Sequence, residues 1–150
     1  MIWRRWLLGV GLGLTTFGML LALAAGTPLF EPVNRLIDPA FWEAGPPDSG
    51  SAAFQAWAYG AWGATLAGWG VVITFVAHEA FGPPEPWAWW ALALGTGFWF
   101  VLDTATSVAH GVGFNVAVNC LVLVLVAPPL IGTRREAGLR RPRGSRPRAR

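Results

Sequence analysis

One carboxylate, Asp103, lies inside a long apolar run, and the chain places Thr106, Ser107, Asn115 and Asn119 close behind it. A carboxylate in hydrocarbon can take up and release a proton or a cation, which suits it to a proton relay or a cation site. Hydrogen-bonded to its neighbours, the same group locks two helices together. If the chain reverses around Gly111, Asp103 lies eight residues before the turn and Asn119 eight after it, with Ser107 and Asn115 each four away. Four-residue spacing puts Asp103 and Ser107 on one helical face, and Asn115 and Asn119 on one face of the next helix. The spacing predicts a polar ladder, Asp103 opposite Asn119 and Ser107 opposite Asn115, with Thr106 a further donor to the carboxylate. At 1.5 Å per residue, Asp103 lies roughly 12 Å from the turn, near the middle of a span of about 30 Å. A charge there costs about 2.5–3.5 kcal/mol on insertion scales, so the group must face inward and be protonated or hydrogen-bonded.

The other residues with chemical potential do not form a set. Paired histidines on facing helices can ligate iron, but His78 and His110 fall at opposite ends of their segments, about a bilayer thickness apart. Each reads as an interfacial histidine. Cys120 is the single cysteine, so no intrachain disulfide forms, and its apolar surroundings mark it as a packing residue. No HExxH, paired-cysteine, glycine-rich phosphate-loop or GxSxG pattern occurs. The sequence therefore predicts no catalytic residue, no metal and no cofactor, and an enzyme is the weaker reading.

The elements that must hold Asp103 follow from composition. Apolar residues make up 54% of the 150, and charged residues only 13%, against roughly 45–50% and 25% in soluble domains. Four stretches, Trp6–Ala25, Ala53–Ala77, Trp87–Val108 and Gly111–Ile131, approach or exceed the roughly 20 apolar residues needed to cross a bilayer. Backbone groups in lipid must satisfy one another, and no alternating strands offer a barrel, so the expected fold is an all-α, four-helix transmembrane bundle. Arg4 and Arg5 before an apolar run ending Ala22-Leu23-Ala24-Ala25 also describe a signal peptide, but the run exceeds the 7–15 residues of a signal's apolar region, which favours an uncleaved helix. Arginines flank the first segment and follow the last, while the 27–52 connection sets Arg35 against four acids. Both termini are expected in the cytoplasm. Trp3, Trp6, Trp87, Trp89 and Trp90 then mark the inner face and Trp42 and Trp57 the outer, with Trp69 and Trp99 packing between helices.

Residues 1–132 thus read as one transmembrane domain with an outer loop over 26–52. In that loop Val33, Leu36, Ile37, Ala40 and Phe41 follow a helical face; Pro39 allows instead two shorter pieces, the second capped by Asp38. In the second segment Ala56, Gly60, Ala64 and Gly68 recur at four-residue steps, a small-residue stripe of the kind that lets membrane helices approach closely. The expected partner is the first or the fourth segment of the same chain, with Gly9 and Gly13 of the first as the facing surface; dimerisation is the alternative. The tail, 133–150, holds eight of the eleven arginines and one acid, too polar to build a core, and is expected to stay disordered and to bind anionic lipid. Without aromatic interleaving it does not point to nucleic acid.

The segments Asp38-Pro39-Ala40-Phe41-Trp42, residues 57–70 (WAYGAWGATLAGWG) and Trp99-Phe100-Val101-Leu102-Asp103-Thr104, with Ser107, Asn115 and Asn119, resemble small uncharacterised bacterial four-helix integral membrane proteins. The resemblance spans most of residues 14–132. It implies a bacterial inner-membrane location and carries no established activity. The leading expectation is a structural or accessory membrane component that self-associates or joins another membrane protein. A proton-coupled transporter or channel using Asp103 is the alternative.

Overall fold

The computed structural model describes residues 2–42, 45–81 and 85–134; the proposed disordered tail, beyond its first two residues, lies outside them. Five helices follow in order: α1 (Ile2–Ala24), α2 (Glu31–Ile37), α3 (Ser49–Ala80), α4 (Pro86–Ala109) and α5 (Gly113–Thr133). Four of them, α1, α3, α4 and α5, are long and apolar enough to cross a membrane. Large apolar side chains remain exposed on all four, with Leu23 81%, Phe75 65%, Phe98 70% and Ile131 73% accessible. Exposed apolar side chains in this number are compatible with a helical bundle in a membrane.

Local signals explain where the helices start and stop. Asp48 caps α3, accepting from the Ser51 and Gly50 amides at 3.0 and 2.8 Å and from the Ser51 hydroxyl at 2.9 Å, and these bonds hold its carboxyl below the usual carboxylate range. The cap starts α3 four residues before the apolar stretch, and at 32 residues the helix is about 48 Å long. Pro86, with no amide to satisfy, opens α4. The connection between α1 and α3 holds α2 and two short 3-10 turns, Pro28–Phe30 and Asp38–Ala40. A separate piece does begin there, with Asp38 as its first residue and Pro39 in its first turn, so Asp38 is not its cap and no side chain caps it; the Asp38 carboxylate instead accepts from Gln55 at 2.6 Å.

The closest packing joins α1 to α3, antiparallel, at two pairs of glycines. A Cβ on Gly63 would lie 2.5 Å from the Ala22 amide and 2.6 Å from the Gly18 carbonyl; on Gly70, 2.5 Å from the Thr15 amide and 2.7 Å from the Gly11 carbonyl. Gly18 and Gly11 are equally blocked by Ala67 and Thr74. This seam differs from the expected stripe. Gly9, Gly13 and Gly68 meet nothing within 4 Å, and only Gly60, 3.6 Å from the Ala22 carbonyl, lies near α1. Ala56 is half-buried and Ala64 exposed. The reason is helical phase: four-residue steps advance about 40° each, so a stripe from 56 to 68 winds about 120° round the helix and leaves the contact. Seven-residue steps, as in Gly11/Gly18 and Gly63/Gly70, return to within about 20°.

Helix α5 packs between α1 and α4 although it contains Pro128 and Pro129. Pro129 has no N–H to give the Leu125 carbonyl. The Trp6 indole supplies the missing donor from α1 at 2.8 Å, and the Trp89 indole donates to the Leu130 carbonyl at 2.7 Å. Around them Leu7, Ile73, Ala77, Phe81, Leu92 and Val126 form a buried cluster at the end of the bundle where the chain begins.

Seam and stripe separate by substitution. Gly63→Ala and Gly18→Ala should lower stability in detergent, measured by thermal unfolding, by about 1–3 kcal/mol or more as overpacked positions do. Gly68→Ala should be neutral, or stabilising by up to about 1 kcal/mol from helix propensity; a loss at Gly68 matching that at Gly63 would return the contact to the stripe.

Candidate functional site

Asp103 stands in the last third of α4, and its surroundings are set by the turn into α5. Gly111 adopts φ +72°, Val112 donates to the Ser107 carbonyl at 2.8 Å and Gly111 to Val108 at 3.1 Å. This is a Schellman ending, which calls for glycine at that position. It folds α5 back along α4.

Asn115, one turn into α5, joins the two helices. Its amide donates to an Asp103 carboxylate oxygen at 3.0 Å and to the Ser107 hydroxyl at 2.8 Å. Ser107 in turn donates to the Asp103 carbonyl at 2.7 Å. Asn119, fully buried, donates instead to Thr104 at 3.2 Å, and its carbonyl oxygen has no partner. The ladder therefore exists with altered rungs. Ser107 faces Asn115 as the spacing predicts, but Asp103 does not meet Asn119. Neighbouring positions differ by about 100° round a helix: Thr104 points into the α4–α5 contact, while Asp103 turns toward α3. Thr106 is exposed; its carbonyl lies 2.9 Å from His110 Nδ1.

Turned this way, Asp103 lines two cavities. One, of about 400 Å³, is bounded by Ile37, Phe41, Tyr59, Trp62, Thr106, Ser107, His110 and Asn115. The other, of about 510 Å³, runs between α3 and α4 and is bounded by Trp62, Thr65, Leu66, Trp69, Val72, Gly95 and Trp99. A third, also about 510 Å³, opens under the α1–α3 connection beside Glu31, Asn34, Asp38, Gln55 and Tyr59. Tyr59 is common to the first and the third, and the Gln55 amide bridges Asp38 and the Tyr59 hydroxyl at 2.6 and 3.2 Å. Three cavities thus follow one another along α3, with Asp103 at the second junction.

Sequence reasoning missed Thr104, Gln55, Tyr59 and Trp62. The four-residue step from Gln55 to Tyr59 marks one face of α3 and was the available signal; the cavities have none, because they arise where side chains of different helices fail to meet. His78 and His110 sit at opposite ends of the bundle, the former 2.7 Å from Glu79, and among the described residues no three His, Cys, Asp or Glu side chains gather as metal ligands.

Fold and site together define an all-helical bundle with four membrane-length helices and a carboxylate bordering two of three adjoining open clefts. No protein family, no curated protein and no solved structure matches this chain.

The two asparagines should behave differently. Asn115→Ala removes donors from both Asp103 and Ser107 and should cost about 0.6–1.7 kcal/mol, the range for polar contacts between membrane helices. Asn119→Leu deletes one long hydrogen bond together with a buried unpaired oxygen and should be close to neutral. Thermal unfolding in detergent reads both, and a larger loss at Asn119 would make it the true lock of the hairpin.

Proposed function

We propose that this chain is a multi-pass protein of the bacterial cytoplasmic membrane, with both termini in the cytoplasm, and that Asp103 exchanges a proton or cation there as part of a transporter or channel. The observation that carries the reading is the position of the Asp103 carboxylate. One oxygen is held by Asn115, and the side chain borders two cavities, the first sharing Tyr59 with a cavity under the outer connection. A carboxylate serving only as a lock would turn both oxygens into the helix contact. This one is anchored on one side and open on the other, as a group that must bind and release requires.

The cavities reach from the outer connection to Trp69 and Val72, and the buried cluster of Leu7, Ile73, Phe81, Leu92 and Val126 lies beyond them. The arrangement supports a half-path from the outer face to Asp103, with an apolar plug toward the cytoplasm. An accessory role is the second reading, favoured by Ala64 and Gly68, which stay free of the α1–α3 seam. Anionic lipid is the proposed partner of the arginine tail.

Two measurements test this. In a Cys120→Ser background, Ser49→Cys and Glu79→Cys, at opposite ends of α3, should react with impermeant thiol reagents from outside and inside respectively; reaction of both from one side defeats the topology. In proteoliposomes carrying an internal pH indicator, the wild type should pass protons under an imposed potential, and Asp103→Asn should lose most of that flux at unchanged yield and melting temperature. A silent wild type, with Asp103→Asn poorly folded, would leave the accessory role in its place.

A further inference from the structure

The groove between α3 and α4 has a chemistry of its own. Its walls are three indoles, Trp62 and Trp69 from α3 and Trp99 from α4, with the Asp103 carboxylate among them. The Trp69 ring lies so close to α4 that a Cβ on Gly95 would stand 2.7 Å from it; glycine there lets the indole form a wall. The space, about 510 Å³, falls within the roughly 300–1,000 Å³ usual for small-molecule sites.

We propose that this groove binds an organic ammonium ion with an apolar or aromatic body, its charged nitrogen against Asp103 and its body among Trp62, Trp69 and Trp99. The inference rests on Asp103 as an exchanging group and names the class of cation exchanged. Indole faces carry negative electrostatic potential and attract cations, tryptophan most strongly. Among the described residues no Arg borders this groove or the adjoining cavity, and the one His on the latter, His110, has its Nδ1 against the Thr106 carbonyl at 2.9 Å rather than against Asp103, so no side chain of the protein is seen paired as a cation with the carboxylate's free side. A hard metal ion needs about six or more oxygen ligands, and the groove offers the carboxylate and the Thr65 hydroxyl. An alkylated nitrogen asks for less: one counter-charge and aromatic surface.

Access points to the same ligand. Thr65 and Val72, on the groove's border, are exposed on the outward surface of the bundle, so a membrane-dissolved amphiphilic cation reaches the indoles from the side. A lipid headgroup would carry its ammonium at the bilayer surface, whereas Asp103 lies seven residues, about 10 Å, below His110. The occupant is therefore a free ammonium compound.

Calorimetric titration of the full chain, in nanodiscs of phosphatidylglycerol and against empty discs, tests this with benzyltrimethylammonium and its uncharged carbon isostere neopentylbenzene. The ammonium should bind saturably and at least about tenfold tighter than the isostere, Asp103→Asn should remove that preference, and Trp62→Leu should weaken binding by about threefold to thirtyfold. Equal binding of the two compounds to the wild type overturns the proposal without any variant. So does the absence of saturable binding, or displacement of the ammonium by added phosphatidylethanolamine, which would give the site to a lipid headgroup. Proton flux that depends on Asp103, with no ammonium bound, removes this ligand class and leaves the exchange reading intact. Ammonium binding that depends on Asp103, with no proton flux, supports the ligand and removes proton exchange.

Discussion

The backbone approach of α1 and α3 at Gly11, Gly18, Gly63 and Gly70 is the constraint from which the other spacings follow. Helix association in lipid has no hydrophobic drive of its own and depends on dispersion and polar contact, so interfaces without side chains give the tightest pairs. In the ring α3–α1–α5–α4, drawing α3 onto α1 leaves the last neighbours, α3 and α4, meeting through few residues. That side is filled by indoles rather than by backbone, and indoles are too rigid and flat to fill it completely. The groove beside Asp103 is what remains.

The same logic divides what the sequence disclosed from what it concealed. Four long helices were legible because each is a continuous apolar run, and two of the ends that differ from the expected ones do so where a cap or a turn intervenes: Asp48 lengthens α3, and the Gly111 ending delays α5 to Gly113; α1 begins four residues before its apolar run, at Ile2, and α3 runs three past its own, to Ala80. Asp103, Ser107 and Asn115 were legible as a group because they straddle a visible turn. The glycine seam was not, since four-residue and seven-residue spacings of small side chains coexist in the second segment and only the phase against α1 chooses between them. Nor were the cavities, which depend on the distance between helices and not on any residue's type.

Helix α5 shows how tryptophan is used in two ways. Trp6 and Trp89 direct their N–H groups to the Leu125 and Leu130 carbonyls, the first of which Pro129 leaves without a donor. A carbonyl unpaired in hydrocarbon costs several kcal/mol, so these indoles are structural polar partners that happen to be aromatic. Trp62, Trp69 and Trp99 lie along the other gap of the bundle, where what they contribute is their faces.

If Asp103 exchanges its ligand between two sides, the part of the molecule that moves is restricted by these contacts. The α1–α3 pair resists small slides, because the backbones meet at four glycines where there is no room for a Cβ. The α4–α5 hairpin is joined internally by Asn115 and Asn119 and bonded to α1 through the Trp6 indole, while its boundary with α3 is made of side chains around cavities. Rotamer changes of Trp62, Trp69 or Trp99 alter that boundary without breaking a backbone hydrogen bond. The carboxylate is carried by the hairpin and the larger part of the aromatic wall by α3, so a small rotation of one unit against the other changes the distance between charge and indole faces. That makes the α3–α4 boundary the place where binding at Asp103 and opening of the bundle are physically coupled.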